Sequence, residues 1–211
     1  MKFTDGYWMV KKQFEIQSPH EVFDYGIHDN TLTMYAPYKK IEQRSDEPNV
    51  GMTTIRINSP LRDVIGVHLY HFLETNRFSH FALNDEKPIV SIEKDTGKLD
   101  FTSGNLTIKA SYKHDFDLSF EAGGKRLTGS REGAQAEIKD NNNNLHYMRE
   151  QLDILPDELI YGFGERFTPF VKNGQSIDIW NQDAGTGSEQ AYKNIPFYIT
   201  QITSLIRTLT K

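Results

Sequence analysis

Cysteine is absent from the 211 residues, which excludes disulfide bridges and thiolate metal sites. Long apolar runs are missing as well: no window approaches the ~18 consecutive apolar residues of a membrane-spanning helix. The amino terminus, Met1-Lys2-Phe3-Thr4-Asp5-Gly6, turns polar at once and holds no apolar stretch of the kind a secretory signal needs. Together these absences lead us to expect a cytoplasmic protein with no membrane partner. An excess of basic charge is also lacking. The 24 Lys and Arg face 29 Asp and Glu, a net charge of −5 that is well mixed along the chain. Without a basic stripe, nucleic acid is not an expected partner.

What the chain has is aromatic residues, 13 Phe and 10 Tyr among them, enough to furnish a sizeable core. Its length suits one large all-β domain or two small ones. The dominant pattern is short period-2 alternation cut by turn residues, which predicts a sandwich or barrel with little helix. Thr53 to Asn58 alternates around Ile55 and Ile57. From Gly66 to Phe72, Val67, Leu69 and His71 share one face, and His68, Tyr70 and Phe72 the other. Ile89–Lys94 and Lys98–Thr102 flank a hairpin turn at Asp95-Thr96-Gly97. Leu106, Ile108 and Ala110 alternate with polar residues, as do Phe116, Leu118 and Phe120 before Gly123-Gly124 turns the chain. Helical signals are poor throughout: Arg131–Lys139 and Ser188–Lys193 could make short helices, but neither carries a long apolar stripe. The Asp140–Asn144 run reads as a polar excursion between two strands.

Most apparent chemical motifs fail on inspection. Gly162-Phe163-Gly164-Glu165 has Phe167 where a dinucleotide loop needs its third glycine, and no βαβ unit surrounds it. Gly185-Thr186-Gly187-Ser188 lacks the Gly-Lys-Ser/Thr ending of a phosphate loop. No cofactor is expected. His68 and His71, an odd number of residues apart in a strand, face opposite ways and cannot share an ion, so no metal site is expected either. The segment from Tyr161 to Thr200 differs. It gathers Glu165, Arg166, Trp180, Asn181, Asp183, Glu189, Tyr192 and Lys193 among glycines and aromatics. Sugar sites use this mixture, with aromatic faces for the ring and carboxylates and amides for its hydroxyls. A set of well-capped structural turns would account for the same composition.

That segment also carries a resemblance. Tyr161-Gly162-Phe163-Gly164-Glu165-Arg166-Phe167 is similar to the Tyr-Gly-x-Gly-Glu-Arg-Phe signature in the amino-terminal domain of glycoside hydrolase family 31. Val171-Lys172-Asn173-Gly174-Gln175, Trp180-Asn181-Gln182-Asp183 and the string from Gly187 to Tyr198 follow at matching distances. The opening Asp5-Gly6-Tyr7-Trp8 and the stretch Ser103-Gly104-Asn105-Leu106 add to the likeness, which is strongest to the bacterial α-xylosidases of the family.

The resemblance implies an all-β, galactose-mutarotase-like β-sandwich (a supersandwich) over residues 1–200, with 201–211 a divergent tail. It further implies a catalytic (β/α)₈ barrel carrying two aspartates, nucleophile and acid/base of a retaining mechanism. A barrel takes about 250 residues, so it is expected to lie outside these 211 and the chain alone is expected not to be an enzyme. The family motif makes Asp183 the expected substrate contact, with no catalytic residue in the chain. Gly162, Gly164, Glu165 and Arg166 are expected to hold the turn and a domain interface. The implied partner is a xylosyl or glucosyl oligosaccharide in the full-length enzyme, and self-association is possible through an exposed barrel-facing surface. The competing readings are a free-standing carbohydrate-binding module and, from the fold alone, an aldose epimerase.

Overall fold

The computed structural model describes residues 3–6, 8–71, 86, 88–180 and 193–201. They form two compact units, one within residues 3–153 and one within residues 154–201. Helix is confined to one 3₁₀ turn, Arg44–Asp46, among the described residues.

In the larger unit, β1 (Thr4–Asp5) and β2 (Met9–Val10) make a small hairpin. After β3 (Phe14–Gln17), four strands pair in sequence: β4 (Asp24–His28), β5 (Thr31–Pro37), β6 (Met52–Leu61) and β7 (Val64–Tyr70). The next five do the same: β8 (Val90–Asp95), β9 (Lys98–Ser103), β10 (Leu106–Ser111), β11 (Asp117–Ala122) and β12 (Lys125–Arg131). All these pairs are antiparallel, joined in sequence by connections that return the chain beside the strand it has just left.

Alternation dictates which side chains go inside. Leu32, Met34 and Ala36 of β5 and Ile55 and Ile57 of β6 share one core with Leu99 and Phe101 of β9 and Ile108 and Ala110 of β10. The four- and five-stranded sheets therefore meet as a sandwich. Phe101 and Phe116 are the largest fully buried side chains. Removing either ring would cost about 3–5 kcal/mol.

A third sheet, ordered β14-β13-β3, joins β13 (Ala136–Asp140) and β14 (Leu145–Arg149) to β3. Here the helix expected over Arg131–Lys139 is corrected. The chain leaves β12 through a turn closed by Ala134 N–H to the Arg131 carbonyl, then enters β13. Buried Ala136 and Ile138 alternate with half-buried Glu137 and Lys139, and pairing on both sides overrides the helical propensity of alanine and glutamate. The Asp140–Asn144 run is the turn between these strands. Asp140 is buried, and its carboxylate accepts the Asn142 N–H at 3.0 Å and the Asn143 side-chain amide at 2.8 Å.

The smaller unit is built on one hairpin, β15 (Ile160–Gly164) paired with β16 (Asn194–Thr200). The expected helix at Ser188–Lys193 and the tail beyond Gln201 lie outside the described residues.

Candidate functional site

The register of β15 against β16 breaks between Gly162 and Gly164. Three consecutive residues there have positive φ: Gly162 at 116°, Phe163 at 68° and Gly164 at 86°. A Cβ on Gly162 would stand 2.6 Å from the Phe197 carbonyl oxygen, and one on Gly164 would stand 2.1 Å from that of Lys193. Only glycine fits at either place. Phe163 has a side chain and holds the left-handed conformation at a cost of about 1–3 kcal/mol, the kind of strain that collects at functional sites. Its ring stacks on Tyr198 at 5.7 Å.

The bulge aims the following residues. Glu165 gives its backbone N–H to the Lys193 carbonyl at 3.0 Å, and its side chain is exposed. Arg166 turns back over the bulge. Its Nε donates to the Phe163 carbonyl at 3.1 Å, and Nη2 donates to the Asp178 carbonyl at 2.8 Å and to the side-chain oxygen of Asn194. The Asn194 amide in turn donates to the Trp180 carbonyl. One guanidinium thus ties the hairpin base to the segment 178–180. Asp183, expected to touch substrate, lies outside the described residues.

The rest of the hairpin's support is polar and local. Buried Lys172 donates through Nζ to Thr168 Oγ1 at 2.9 Å and to the Pro169 carbonyl at 2.6 Å. Asn173 accepts the Ile160 N–H at 2.9 Å and donates to the Glu158 carbonyl at 2.8 Å. This scaffold leaves Phe167, Phe170 and Trp180 more than 70% exposed. Planar faces near a polar loop are what a pyranose ring stacks upon. Sequence reasoning singled out Gly162, Gly164, Glu165 and Arg166 but passed over Asn194, whose side chain bridges Arg166 and Trp180. It stands inside the recognised string, yet a lone asparagine before a strand gives no signal of its own.

The larger unit carries a groove on the outer face of the five-stranded sheet, lined by Ser91, Glu93, Asp100, Asn105, Lys109 and Glu121 among others. Burial pushes the Asp100 carboxyl above its usual range, against the pull of Lys109 and Lys98. No lining residue is aromatic. The platform that a free-standing carbohydrate module would need is therefore not found in this groove.

Two packed antiparallel sheets with sequential connections, and a hairpin pinched by left-handed residues, define a sandwich domain of the mutarotase-like kind. The family model described as the glycosyl hydrolase 31 N-terminal galactose mutarotase-like domain matches residues 54–203, and the chain belongs to that family. It is 47% identical over 200 residues to the α-xylosidase XylQ of Lactiplantibacillus pentosus, covering 95% of this chain and 26% of that protein. It is 34% identical over 221 residues to an α-xylosidase of Emericella nidulans, covering 95% of this chain and 28% of that protein. The chain thus spans about a quarter of the curated relatives it matches. Among solved structures, the family 31 dextranase of Flavobacterium johnsoniae complexed with glucose aligns with a TM-score of 0.67 at 18% identity, over 87% of this chain and 21% of that one. A family 31 α-xylosidase from a soil metagenome, complexed with xylose, aligns at 0.61 and 15% identity, over 85% and 27%. These likenesses concern the fold. No helix is long and apolar enough to cross a membrane among the described residues.

Proposed function

We propose that residues 1–200 are the amino-terminal domain of a retaining α-xylosidase, with 201–211 a divergent tail. In this reading the domain supports a catalytic barrel and lends a loop to the sugar subsite, while hydrolysis belongs to the barrel's aspartates. The substrate is a xylosyl- or glucosyl-bearing oligosaccharide. The identity to two α-xylosidases, each several times longer than the matched span, supports the assignment.

The observation that carries the role is the lock formed by Arg166 and Asn194 on residues 178–180, which directly precede the segment with Asp183 in the chain. A loop meant only to link two strands has no need of a guanidinium spent on main-chain carbonyls at its root. A loop that must present a carboxylate to a sugar hydroxyl does, since misplacement by about 1 Å can cost a hundredfold in rate.

The test is a fusion of residues 1–200 to the barrel of XylQ, assayed on an aryl α-xyloside. Asp183→Ala should lower kcat/KM by about 10- to 150-fold, the kinetic equivalent of ~1.5–3 kcal/mol for a charged hydrogen bond. An unchanged kcat/KM would remove Asp183 from the subsite. The unfused chain should show no turnover. Activity abolished by a substitution within residues 1–211 would overturn the division of labour.

A further inference from the structure

The face of the third sheet that turns away from its apolar side carries Glu137 and Lys139 on β13 and His146 and Met148 on β14. Lys139 lies opposite His146 and Glu137 opposite Met148, so Glu137 and His146 are diagonal neighbours. Glu137 Oε1 is 2.6 Å from His146 Nδ1. Its other oxygen accepts the Tyr38 hydroxyl hydrogen at 2.9 Å, and Tyr38 in turn accepts from Thr53 at 3.1 Å. A second imidazole arrives from the other side. His71, the residue after β7, stacks on His146 with ring centroids 5.2 Å apart and planes 6° from parallel.

An ordinary glutamate–histidine pair would account for Glu137 and His146. It does not account for a further imidazole, brought from another sheet, whose ligating atom lies within 4.8 Å of both of theirs. Nor does it explain a carboxylate already oriented by a phenol. Two imidazole nitrogens and one carboxylate oxygen are a donor set for first-row divalent ions, and a hydrogen-bonded carboxylate is how such ligands are aimed.

We propose that His71, Glu137 and His146 form a binding site for one divalent transition-metal ion, with Zn²⁺ the fitting probe. Three protein ligands leave a fourth position for water. The ion would clip the end of β7 to the β13–β14 hairpin, joining segments distant in the chain. The inference is independent of the α-xylosidase reading.

The experiment is calorimetric titration of the full, untagged chain with ZnCl₂, alongside thermal melts. One ion should bind per chain and raise Tm, because a ligand held by the folded state alone stabilises it. His71→Ala and His146→Ala should each weaken binding by roughly tenfold or more, and Tyr38→Phe by about tenfold, the lower end of the effect of an outer-shell partner. His28→Ala, at an exposed histidine beside Asp29, should leave the titration unchanged. If a substituted chain fails to fold, imidazole NMR of the parent still decides, since Zn²⁺ should shift the rings of two of the seven histidines. Absence of saturable one-to-one binding, or binding undiminished in both histidine variants, would overturn the site.

Discussion

Glu150 sits just past the end of β14, and neither of its carboxylate oxygens meets a partner in hydrogen-bonding geometry among the described residues. Burial pushes its pKa up to about 7, although Ser130, Gln135 and Arg149 pull the other way. The folded state therefore holds a proton that the unfolded chain has released, over the window from the ordinary glutamate value of 4.5 to about 7. Stability is highest below that window and falls as pH rises through it. The loss is on the order of 3 kcal/mol by pH 8. Urea unfolding midpoints at pH 5 and pH 8 should show it, and Glu150→Gln should flatten the difference. A parent protein equally stable at both values would show that Glu150 is solvated after all. Gly164 sets a second test at this scale. Alanine there should cost at least ~1–3 kcal/mol through its forced φ, with further loss from the clash at Lys193. A thermal melt unchanged in Gly164→Ala would contradict the bulge geometry.

Strands announce themselves when both of their faces are chemically distinct. Ile55 and Ile57, or Ile108 and Ala110, alternate with threonine, lysine and arginine, so β6 and β10 were legible before any coordinates. Arg131–Lys139 was not. Its apolar inward residues are two alanines and a single large one, Ile138, and what makes it a strand is pairing with β3, more than a hundred residues earlier in the chain. The hairpin of β15 and β16 was legible as a motif, but its strained backbone was not. Positive φ at Phe163 follows from contacts with residues 193–198 that no local pattern encodes. The histidines show the same limit. Along the sequence His71 has only His68 for a neighbour, facing the opposite way, whereas folding stacks it on His146. At the scale of one element, the Asp140 turn is the clearest test. Asp140→Ala removes both acceptors of a buried carboxylate and should destabilise the larger unit by about 1–3 kcal/mol, read from chemical denaturation. A loss below a few tenths would mean that the asparagines hold the turn unaided.

At the scale of the whole chain, the question is what the smaller unit does with its surface. Ile154, Leu155, Phe167, Phe170, Trp180, Ile195 and Ile199 are all exposed. Exposed apolar side chains, where they join into one patch, tend to find a partner. Expressed by itself, the chain should self-associate at high concentration, and light scattering should register species above 24.3 kDa. Fusion to a barrel should restore a monodisperse protein. A clean monomer of the isolated chain at millimolar concentration would show that these side chains are tolerated in water.

Arg166 reads its surroundings without regard to spelling. Two of the oxygens it grips belong to the main chain of Phe163 and Asp178, and every amino acid supplies that atom equally. The Phe163 and Asp178 carbonyls persist whatever side chains those positions carry, so these two contacts place their demand on the path of the backbone. What the anchorage requires is one arginine, one asparagine and the two glycines that let the chain double back.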